Sequence, residues 1–309
     1  MSFKILFMGT PLFAVPVLEC LNNSKHKILE VYTQPPKKKN RGQKISFSPV
    51  HEYSSKINIP IRNPVTLESE AEYEHLRKIN PDIVIVVAYG KILPKKFLDL
   101  KNTMFINIHG SLLPKWRGAA PIQRAIMNCD NETGISIMKI VSKLDAGPIM
   151  MKKKIKILKE SNYEQLSNQM SKLGAQMILQ SLELIKNNQA KFIEQNEKDA
   201  TYAKKIEKIE SKIDWKLKAK NVIAKINAFY PNPGSWFKLN GLRIKVIKAV
   251  EIKMEGNPGE VVNNNFTIAC SENSIQILEL QKEGKNKISA IEFLKGNKLE
   301  VGSNILKDV

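Results

Sequence analysis

Short apolar runs alternate with helical stretches through the first half of this 309-residue chain. The runs cover residues 3–8, 28–33, 83–88 and 105–108, and a helical pattern covers 67–79. Two parallel strands need a crossover connection, usually a helix, so this alternation predicts βαβ units. We therefore expect an α/β fold with an open, mostly parallel, Rossmann-like sheet, whose ligands bind beyond the carboxyl ends of the strands.

The second half of the chain has a different pattern. A long helical stretch over residues 163–185 predicts the end of a first domain at 1–187, and the polar residues 188–208 predict a linker. Short strands then dominate 209–309, with an Asn240-Gly241 hairpin turn among them. This predicts a smaller, OB-like β-barrel domain. Small barrels often bind oligonucleotides, but such a barrel could also serve only as a spacer.

Basic residues greatly outnumber acidic ones: 49 Lys and Arg against 30 Asp and Glu give a net charge of +19. Such a surplus attracts polyanions, nucleic acid above all. Only six of the 49 are arginine, so an A+T-rich genome is an equally good explanation of the total. That explanation does not account for clustering, and five basic residues lie between Lys37 and Lys44 without an acid.

Several classes of protein are disfavoured by the sequence. No apolar run approaches the roughly 18 residues of a membrane span, and the start of the chain does not resemble a signal peptide, so we expect a soluble, cytoplasmic protein. Cys20, Cys129 and Cys270 predict neither a disulfide framework nor a zinc site. The first strand is followed by Gly9-Thr10-Pro11-Leu12-Phe13-Ala14, which lacks the G-x-G-x-x-G fingerprint of nicotinamide cofactors.

The most informative segment is the strand and loop at residues 105–121. Asn107 and His109 are two apart in a strand, so both project from the same face of the sheet, and Gly110 to Pro114 predict a loop there. A turn at residues 143–148 brings Asp145 to the end of another apolar run. The three side chains can therefore converge, although a lone histidine in this place is more often a hydrogen-bonded structural residue.

Such a trio suits acyl transfer without a covalent enzyme intermediate. The amide can donate to a developing oxyanion, the imidazole can share a proton, and the carboxylate can orient the imidazole. Ser111 as a hydrolase nucleophile is a weaker alternative, because no G-x-S-x-G elbow is present. A metal site at His109 and Asp145 is also disfavoured, since the other histidines have no metal-like spacing.

These motifs resemble those of the folate-dependent formyltransferases. The resemblance rests on the segments Asn107, His109-Gly110-Ser111-Leu112-Leu113-Pro114, Trp116-Arg117-Gly118-Ala119-Ala120-Pro121 and Leu144-Asp145-Ala146-Gly147. It implies that Asn107, His109 and Asp145 are catalytic and that no metal is required. It also implies that 10-formyltetrahydrofolate is the formyl donor, bound by Ser111, Leu112, Leu113 and Pro114.

Further segments are similar to one branch, the methionyl-tRNA formyltransferases. They include Phe7-Met8-Gly9-Thr10-Pro11, Tyr32-Thr33-Gln34-Pro35, Ala228-Phe229-Tyr230-Pro231 and Ser235-Trp236. The similarity runs over essentially the whole chain and implies N-formylation of initiator methionyl-tRNA for translation initiation, by a monomer. The basic loop then implies a tRNA contact, with candidate residues Lys37, Lys38, Lys39, Arg41 and Lys44.

Two alternative functions stay open at this point. A formyltetrahydrofolate hydrolase would use the same trio with water as acceptor, but it has no evident need for a basic second domain. A tRNA-binding protein without catalytic activity would need neither Asn107, His109 nor Asp145. The sequence therefore favours a formyltransferase that acts on tRNA.

Overall fold

The protein is described by a computed structural model that covers residues 2–39 and 44–308. Its larger sheet has seven strands within these residues. They are β1 (Lys4–Gly9), β2 (Lys27–Tyr32), β5 (Ile61–Arg62), β6 (Ile83–Val87), β7 (Met104–His109), β9 (Glu132–Lys139) and β10 (Ile149–Lys156). Two short strands, β3 (Lys37–Lys39) and β4 (Lys44–Ser46), pair with each other away from this sheet.

The strand order is β10-β9-β7-β6-β1-β2-β5. Strand β1 lies between β2 and β6 and is parallel to both, and β6–β7 and β2–β5 are parallel as well. Strand β9 runs antiparallel to β7. The predicted α/β fold with an open, mostly parallel sheet is thus confirmed, and its predicted strands lie within about a residue of the observed ones.

Helices connect these strands along the chain. They are α1 (Val15–Asn22), α2 (Pro49–Lys56), α3 (Glu70–Ile79), α4 (Lys95–Leu98), α5 (Pro121–Met127) and α6 (Tyr163–Lys186). The hydroxyl of Ser48 accepts a hydrogen bond from the backbone N–H of His51 and so caps α2, and Ser69 caps α3 in the same way. Helix α3 ends at Ile79 and is followed by Asn80, which adopts a left-handed conformation with φ of 48°.

The centre of the larger sheet is fully apolar. Ile5, Leu6, Phe7 and Met8 of β1 are completely buried, and every residue of the neighbouring β6 is buried too. Continuous apolar runs of this kind are expected of strands whose two faces are both covered. In these two strands the polar side chain is Lys4, at the start of β1, so the polar side chains that a ligand could contact lie on the other strands or beyond the strand ends.

Later strands of the chain form a separate antiparallel sheet. Its strands are β12 (Trp236–Leu239), β13 (Leu242–Ile252), β14 (Val261–Asn263), β15 (Thr267–Ala269), β16 (Ser274–Lys282) and β17 (Lys287–Ser289). Strand β16 pairs with β13 along one side and with β15 and β17 along the other. We predicted an open, mostly parallel Rossmann-like sheet followed by a smaller OB-like β-barrel domain. The structure confirms this fold class, with an α/β sheet followed along the chain by a separate antiparallel β-sheet domain.

The core of this second sheet is aromatic. Trp215, Phe237, Phe266 and Phe293 are buried together with aliphatic residues of α7 (Ala219–Phe229) and α8 (Ala290–Lys295). The rings of Trp215 and Phe237 meet edge to face at 5.5 Å between centroids, a favourable arrangement for aromatic pairs. These contacts join the helices of this unit to its sheet.

The predicted hairpin turn lies between β12 and β13. Asn240 and Gly241 have φ values of 49° and 73°, and Leu239 pairs with Leu242 across the turn. Positive φ at both central residues defines the type I′ turn, which matches the twist of the flanking strands. The predicted hairpin turn is therefore confirmed.

The chain separates into two compact units. The first comprises residues 1–121, 133–155 and 167–203, and the second comprises 122–132, 156–166 and 204–309. Each unit has its own apolar core. Among the described residues, no helix has the length and apolar character needed to cross a membrane.

Candidate active site

Strand β7 carries two polar side chains toward its carboxyl end. Asn107 and His109 are separated by one residue, so the alternation of the strand directs them to the same face, while Ile106 and Ile108 are buried. His109 is the last residue of β7, and its side chain is 6% exposed. The predicted pair thus lies at a strand end, where α/β proteins bind their ligands.

Asp145 reaches this pair from the loop between β9 and β10. Its Oδ1 accepts a hydrogen bond from Asn107 Nδ2 at 3.3 Å, and its Oδ2 lies 3.6 Å from Nδ1 of His109. The backbone N–H of Gly118 donates to the same Oδ2 at 2.8 Å. The carboxylate is therefore held in one orientation, and the structure brings all three predicted catalytic residues together.

The carbonyl group of Trp116 determines which nitrogen of the His109 imidazole carries a proton. Nε2 lies 2.9 Å from the carbonyl oxygen of Trp116, and a carbonyl can only accept a hydrogen bond. Nε2 therefore carries a proton, and Nδ1, which faces Asp145, is the nitrogen that can gain or lose one. The geometry directs the exchangeable proton of His109 toward the carboxylate.

The amide of Asn107 has donor capacity beyond its contact with Asp145. An asparagine side chain carries two N–H groups and one carbonyl oxygen. Within residues 2–39 and 44–308, Asp145 is the only side-chain partner found for this amide. The second N–H can therefore donate to an oxygen of a bound molecule, which is the role of an oxyanion-stabilising group.

Ser111 does not have the geometry of a hydrolase nucleophile. Its side chain is fully buried, and its hydroxyl donates to the carbonyl oxygen of Lys115 at 2.5 Å. A nucleophilic serine needs a hydrogen bond to its general base. The imidazole of His109 instead contacts Trp116 and Asp145. The trio consequently fits acyl transfer to an external acceptor better than serine hydrolysis.

The chain is similar in sequence to known proteins. Residues 3–182 match the family model described as "Formyl transferase", and residues 205–298 match "Formyl transferase, C-terminal domain". The chain is 48% identical to the methionyl-tRNA formyltransferase of Pelagibacter ubique over 99% of both chains. It is 42% identical to that of Coxiella burnetii over 99% of both chains. The chain belongs to the methionyl-tRNA formyltransferase family.

A solved structure supports the fold. HypX from Aquifex aeolicus, in complex with tetrahydrofolic acid, aligns with a TM-score of 0.66 at 19% identity and covers 98% of this chain. This chain spans about half the length of HypX, 51%. At this level of identity, the likeness concerns the fold alone.

The predicted folate-binding segment of this family member lies directly after β7. Ser111 and Leu113 are fully buried, and Leu113 packs against Met138 and Ile149. The backbone N–H of Leu113 donates to Ser136 Oγ, and its carbonyl accepts from Lys152 Nζ. Leu112 and Pro114 are half-buried. The segment thus leaves Leu112 and Pro114 as the accessible positions, and its role in folate binding stays a prediction.

The predicted tRNA-contacting lysines lie on a short hairpin. Strands β3 and β4 pair antiparallel, with Lys37 opposite Ser46 and Lys39 opposite Lys44. Lys37 is exposed. Arg41 lies outside the described residues, as do all of 40–43. The structure therefore places four of the five predicted basic residues on the two arms of one hairpin, and their contact with tRNA stays a prediction.

Sequence reasoning missed a second set of residues beside the trio. Gln195, Glu197 and Thr201 belong to the polar segment that we predicted to be a linker, yet each contacts the 116–118 or the 143–147 segment. The signal that could have found them is Arg117. A guanidinium inside an apolar loop needs a carboxylate partner, and residues 110–121 around Arg117 contain no Asp or Glu. The partner must therefore come from a segment that is distant in sequence.

Proposed function

We propose that this chain transfers the formyl group of 10-formyltetrahydrofolate to the free amino group of initiator methionyl-tRNA. The product, N-formylmethionyl-tRNA, is used to start translation in the cytoplasm. One observation carries the proposal: the Asn107 amide, the His109 imidazole and the Asp145 carboxylate contact one another at a strand end, in a chain that belongs to this family.

The donors at this site fit a formyl group. A formyl carbon becomes tetrahedral when an amine attacks it, and negative charge then develops on its oxygen. The second N–H of Asn107 Nδ2 is available to that oxygen. The contact of Nδ2 with Asp145 fixes this donor before the substrate binds, which is the arrangement that electrostatic stabilisation of a transition state requires. We assign His109 to proton transfer, because its Nε2 contacts the Trp116 carbonyl and its Nδ1 faces Asp145.

His109 and Asp145 would also carry out the proton transfers of the reaction. The new bond joins the amino nitrogen of the methionyl group to the formyl carbon, and the bond from that carbon to N10 of tetrahydrofolate breaks. One proton must leave the attacking amine and one must reach the departing nitrogen. Asp145 accepts the first, directly or through His109, and the same pair returns a proton to the leaving nitrogen.

Binding of the two substrates would be divided between different parts of the chain. We assign folate to the segment Ser111, Leu112, Leu113 and Pro114, with Leu112 and Pro114 accessible. We assign the tRNA acceptor arm to the hairpin lysines and to the unit that holds the antiparallel sheet. Phosphate contacts of this kind give affinity without reading the bases. Arg41 could add a planar contact that lysine cannot make.

We further propose the domain division that these roles require. Residues 1–187 would form the catalytic domain, 188–208 the connecting segment and 209–309 the tRNA-binding domain, in a monomeric enzyme. The family matches at residues 3–182 and 205–298 support this division.

A formyl-transfer assay with competing acceptors tests the proposal. Purified protein is given labelled 10-formyltetrahydrofolate together with charged initiator tRNA, elongator methionyl-tRNA or buffer alone. We expect label on the initiator aminoacyl-tRNA and little release of formate. Rapid formate release without labelled tRNA would instead identify a hydrolase. Binding of tRNA with neither product would identify a binding protein.

A further inference from the structure

Gln195 holds the backbone of the loop that carries Asp145. Its Nε2 donates one hydrogen bond to the carbonyl oxygen of Asp145 at 2.8 Å and another to that of Gly147 at 2.7 Å. Its Oε1 accepts from Nε and Nη2 of Arg117 at 3.0 and 2.9 Å. Carbonyls only accept and guanidinium only donates, so these partners fix the orientation of the amide completely.

Arg117 is itself held by a carboxylate. Its side chain is fully buried, and Nη1 and Nη2 donate to the two oxygens of Glu197 at 3.1 and 3.0 Å. A bidentate pair of this kind adds geometric precision as well as binding strength. Lys143, in the same loop as Asp145, also donates to Glu197 Oε2, at 2.6 Å. Glu197 therefore joins the buried arginine to the loop of the catalytic carboxylate.

The loop at Asp145 has a strained backbone that contacts from other segments must hold in place. Asp145 has φ of 46°, in the left-handed region that residues other than glycine seldom adopt. A side chain at Gly147 would collide with the carbonyl oxygen of Lys139, so the loop passes close against β9. Strained backbone of this sort persists only where surrounding contacts impose it, and it is typical of functional sites.

The hydrogen bond from the N–H of Gly118 to the Asp145 carboxylate also depends on the segment that contains Gln195. Strand β8 (Arg117–Gly118) pairs with β11 (Tyr202–Ala203), and the N–H of Arg117 donates to the carbonyl of Thr201 at 2.8 Å. This pairing places the N–H of Gly118 against Asp145 Oδ2. The segment from 195 to 203 thus fixes both ends of Asp145: the backbone through Gln195 and the carboxylate through Gly118.

We propose that Gln195, held by Arg117 and Glu197, is a positioning residue that aims the carboxylate of Asp145 at Nδ1 of His109. This inference rests on the proposed formyl transfer for its kinetic consequence. Gln195 itself does not touch the reacting atoms. Its effect on the rate passes through Asp145, because a small displacement of a proton-transfer group slows the chemical step far more than it weakens substrate binding.

The variant Gln195→Glu tests this assignment with little change in shape. It keeps the oxygen that accepts from Arg117 but replaces the amide nitrogen with a carboxylate oxygen, which faces the carbonyl oxygens of Asp145 and Gly147. We expect kcat to fall by roughly 10-fold, with KM for folate and for tRNA within about 3-fold of the original values. Gln195→Met removes the same two N–H donors without adding charge and should lower kcat comparably.

Gln189→Glu is the matched control. Gln189 is exposed in the same polar segment, and no side-chain contact of it is found in the described part of the chain. The control makes the same chemical change and the same change in net charge. We expect its kcat to equal that of the unmodified enzyme. Normal kcat in both Gln195 variants would overturn the positioning role.

A double-mutant cycle distinguishes positioning of Asp145 from a general structural role. Asp145→Asn alone should lower kcat by roughly 100-fold, the usual contribution of a proton-transfer group. Residues that act through one another are not additive. Gln195→Glu should therefore cause no further loss in the Asp145→Asn background. If it slows that variant by the same factor as it slows the unmodified enzyme, its effect does not pass through Asp145.

Hydrogen exchange provides a test that does not depend on activity. The N–H of Ala146 donates to the carbonyl of Lys143, and that of Lys139 donates to the carbonyl of Pro148. We expect peptides covering residues 139–148 to exchange faster in Gln195→Glu than in Gln189→Glu. Equal exchange would contradict the positioning role even if the unmodified chain transferred no formyl group, in which case the proposed function would fail separately.

Discussion

At the scale of single residues, the site depends on which nitrogen of His109 is exchangeable. The carbonyl of Trp116 fixes the proton on Nε2, so only Nδ1 can pair with Asp145 and take part in proton transfer. Sequence reasoning could place Asn107 and His109 on one face, because the period of a strand is two. It could not identify the tautomer, since Trp116 contacts the ring through its backbone.

The first prediction concerns His109→Ala. Removing the imidazole takes away the proton-exchanging group that faces Asp145, so kcat should fall by roughly 100-fold or more while the protein still folds. His75→Ala is the control, because His75 lies on α3, pairs with Glu30 and has no contact with the trio. Steady-state kinetics and thermal melting measure both effects. Near-normal turnover in His109→Ala would refute its assignment.

The second prediction concerns the pH range in which Glu197 contributes to stability. Hydrogen bonds from Arg117 and then Lys143 lower the pKa of Glu197 from 4.5 to about 2. The folded-state pKa lies below the unfolded one, so the stabilisation is fully present above about pH 4.5 and is lost as the pH falls toward 2. The Tm difference between the unmodified protein and Glu197→Gln should be constant from pH 7 to 5.

That Tm difference should then shrink steadily between pH 4.5 and 2, because Glu197 becomes protonated and resembles the uncharged glutamine of the variant. The measurement is a series of melting curves for both proteins. A difference that stayed constant down to pH 2.5 would show that the carboxylate is not paired as the structure describes.

At the scale of elements, the sequence predicted the strands and helices that have a regular apolar pattern. It missed the elements and contacts that depend on residues distant in the chain. Strands β1, β6 and β7 and helix α6 have strong apolar patterns, and each lies within about two residues of its prediction. Strand β3 is three consecutive lysines, which carry no strand signal; it forms because β4 pairs with it. The hydrogen bonds of Gln195 with Asp145 and Arg117 span 50 and 78 residues, which no local pattern can reveal.

The third prediction belongs to the β3–β4 hairpin. Replacing Lys37, Lys38 and Lys39 with serine should weaken tRNA binding and flatten its salt dependence. The log-log slope should fall by about 0.7 to 0.9 for each phosphate that a lysine no longer neutralises. Folate affinity should not change. The control replaces three lysines that are exposed elsewhere in the same unit: Lys78, Lys101 and Lys172.

Titration of labelled tRNA at several salt concentrations measures both slopes. Equal slopes in the hairpin variant, the control variant and the unmodified protein would mean that these lysines are ordinary solvated surface. The acceptor would then be held by other residues, and the overall lysine content would reflect composition rather than function.

At the scale of the whole molecule, binding and chemistry are separate tasks. A net charge of +19 attracts a polyanion such as tRNA over a distance set by the ionic strength, whereas the chemistry that we propose depends on three side chains that lie within a few ångströms of one another. We therefore predict that a change within the trio slows the reaction without loosening tRNA, and that a change in surface charge loosens tRNA first.

The central claim is that Asn107, with His109 and Asp145, carries out formyl transfer to methionyl-tRNA, and a single-turnover experiment on Asn107→Ala tests it most directly. Enzyme in excess over labelled donor and charged initiator tRNA reports the chemical step, and filter binding reports tRNA affinity. We predict a rate lower by roughly 100-fold with unchanged tRNA affinity, because one oxyanion donor contributes about that much. A single-turnover rate equal to that of the unmodified enzyme would contradict the claim.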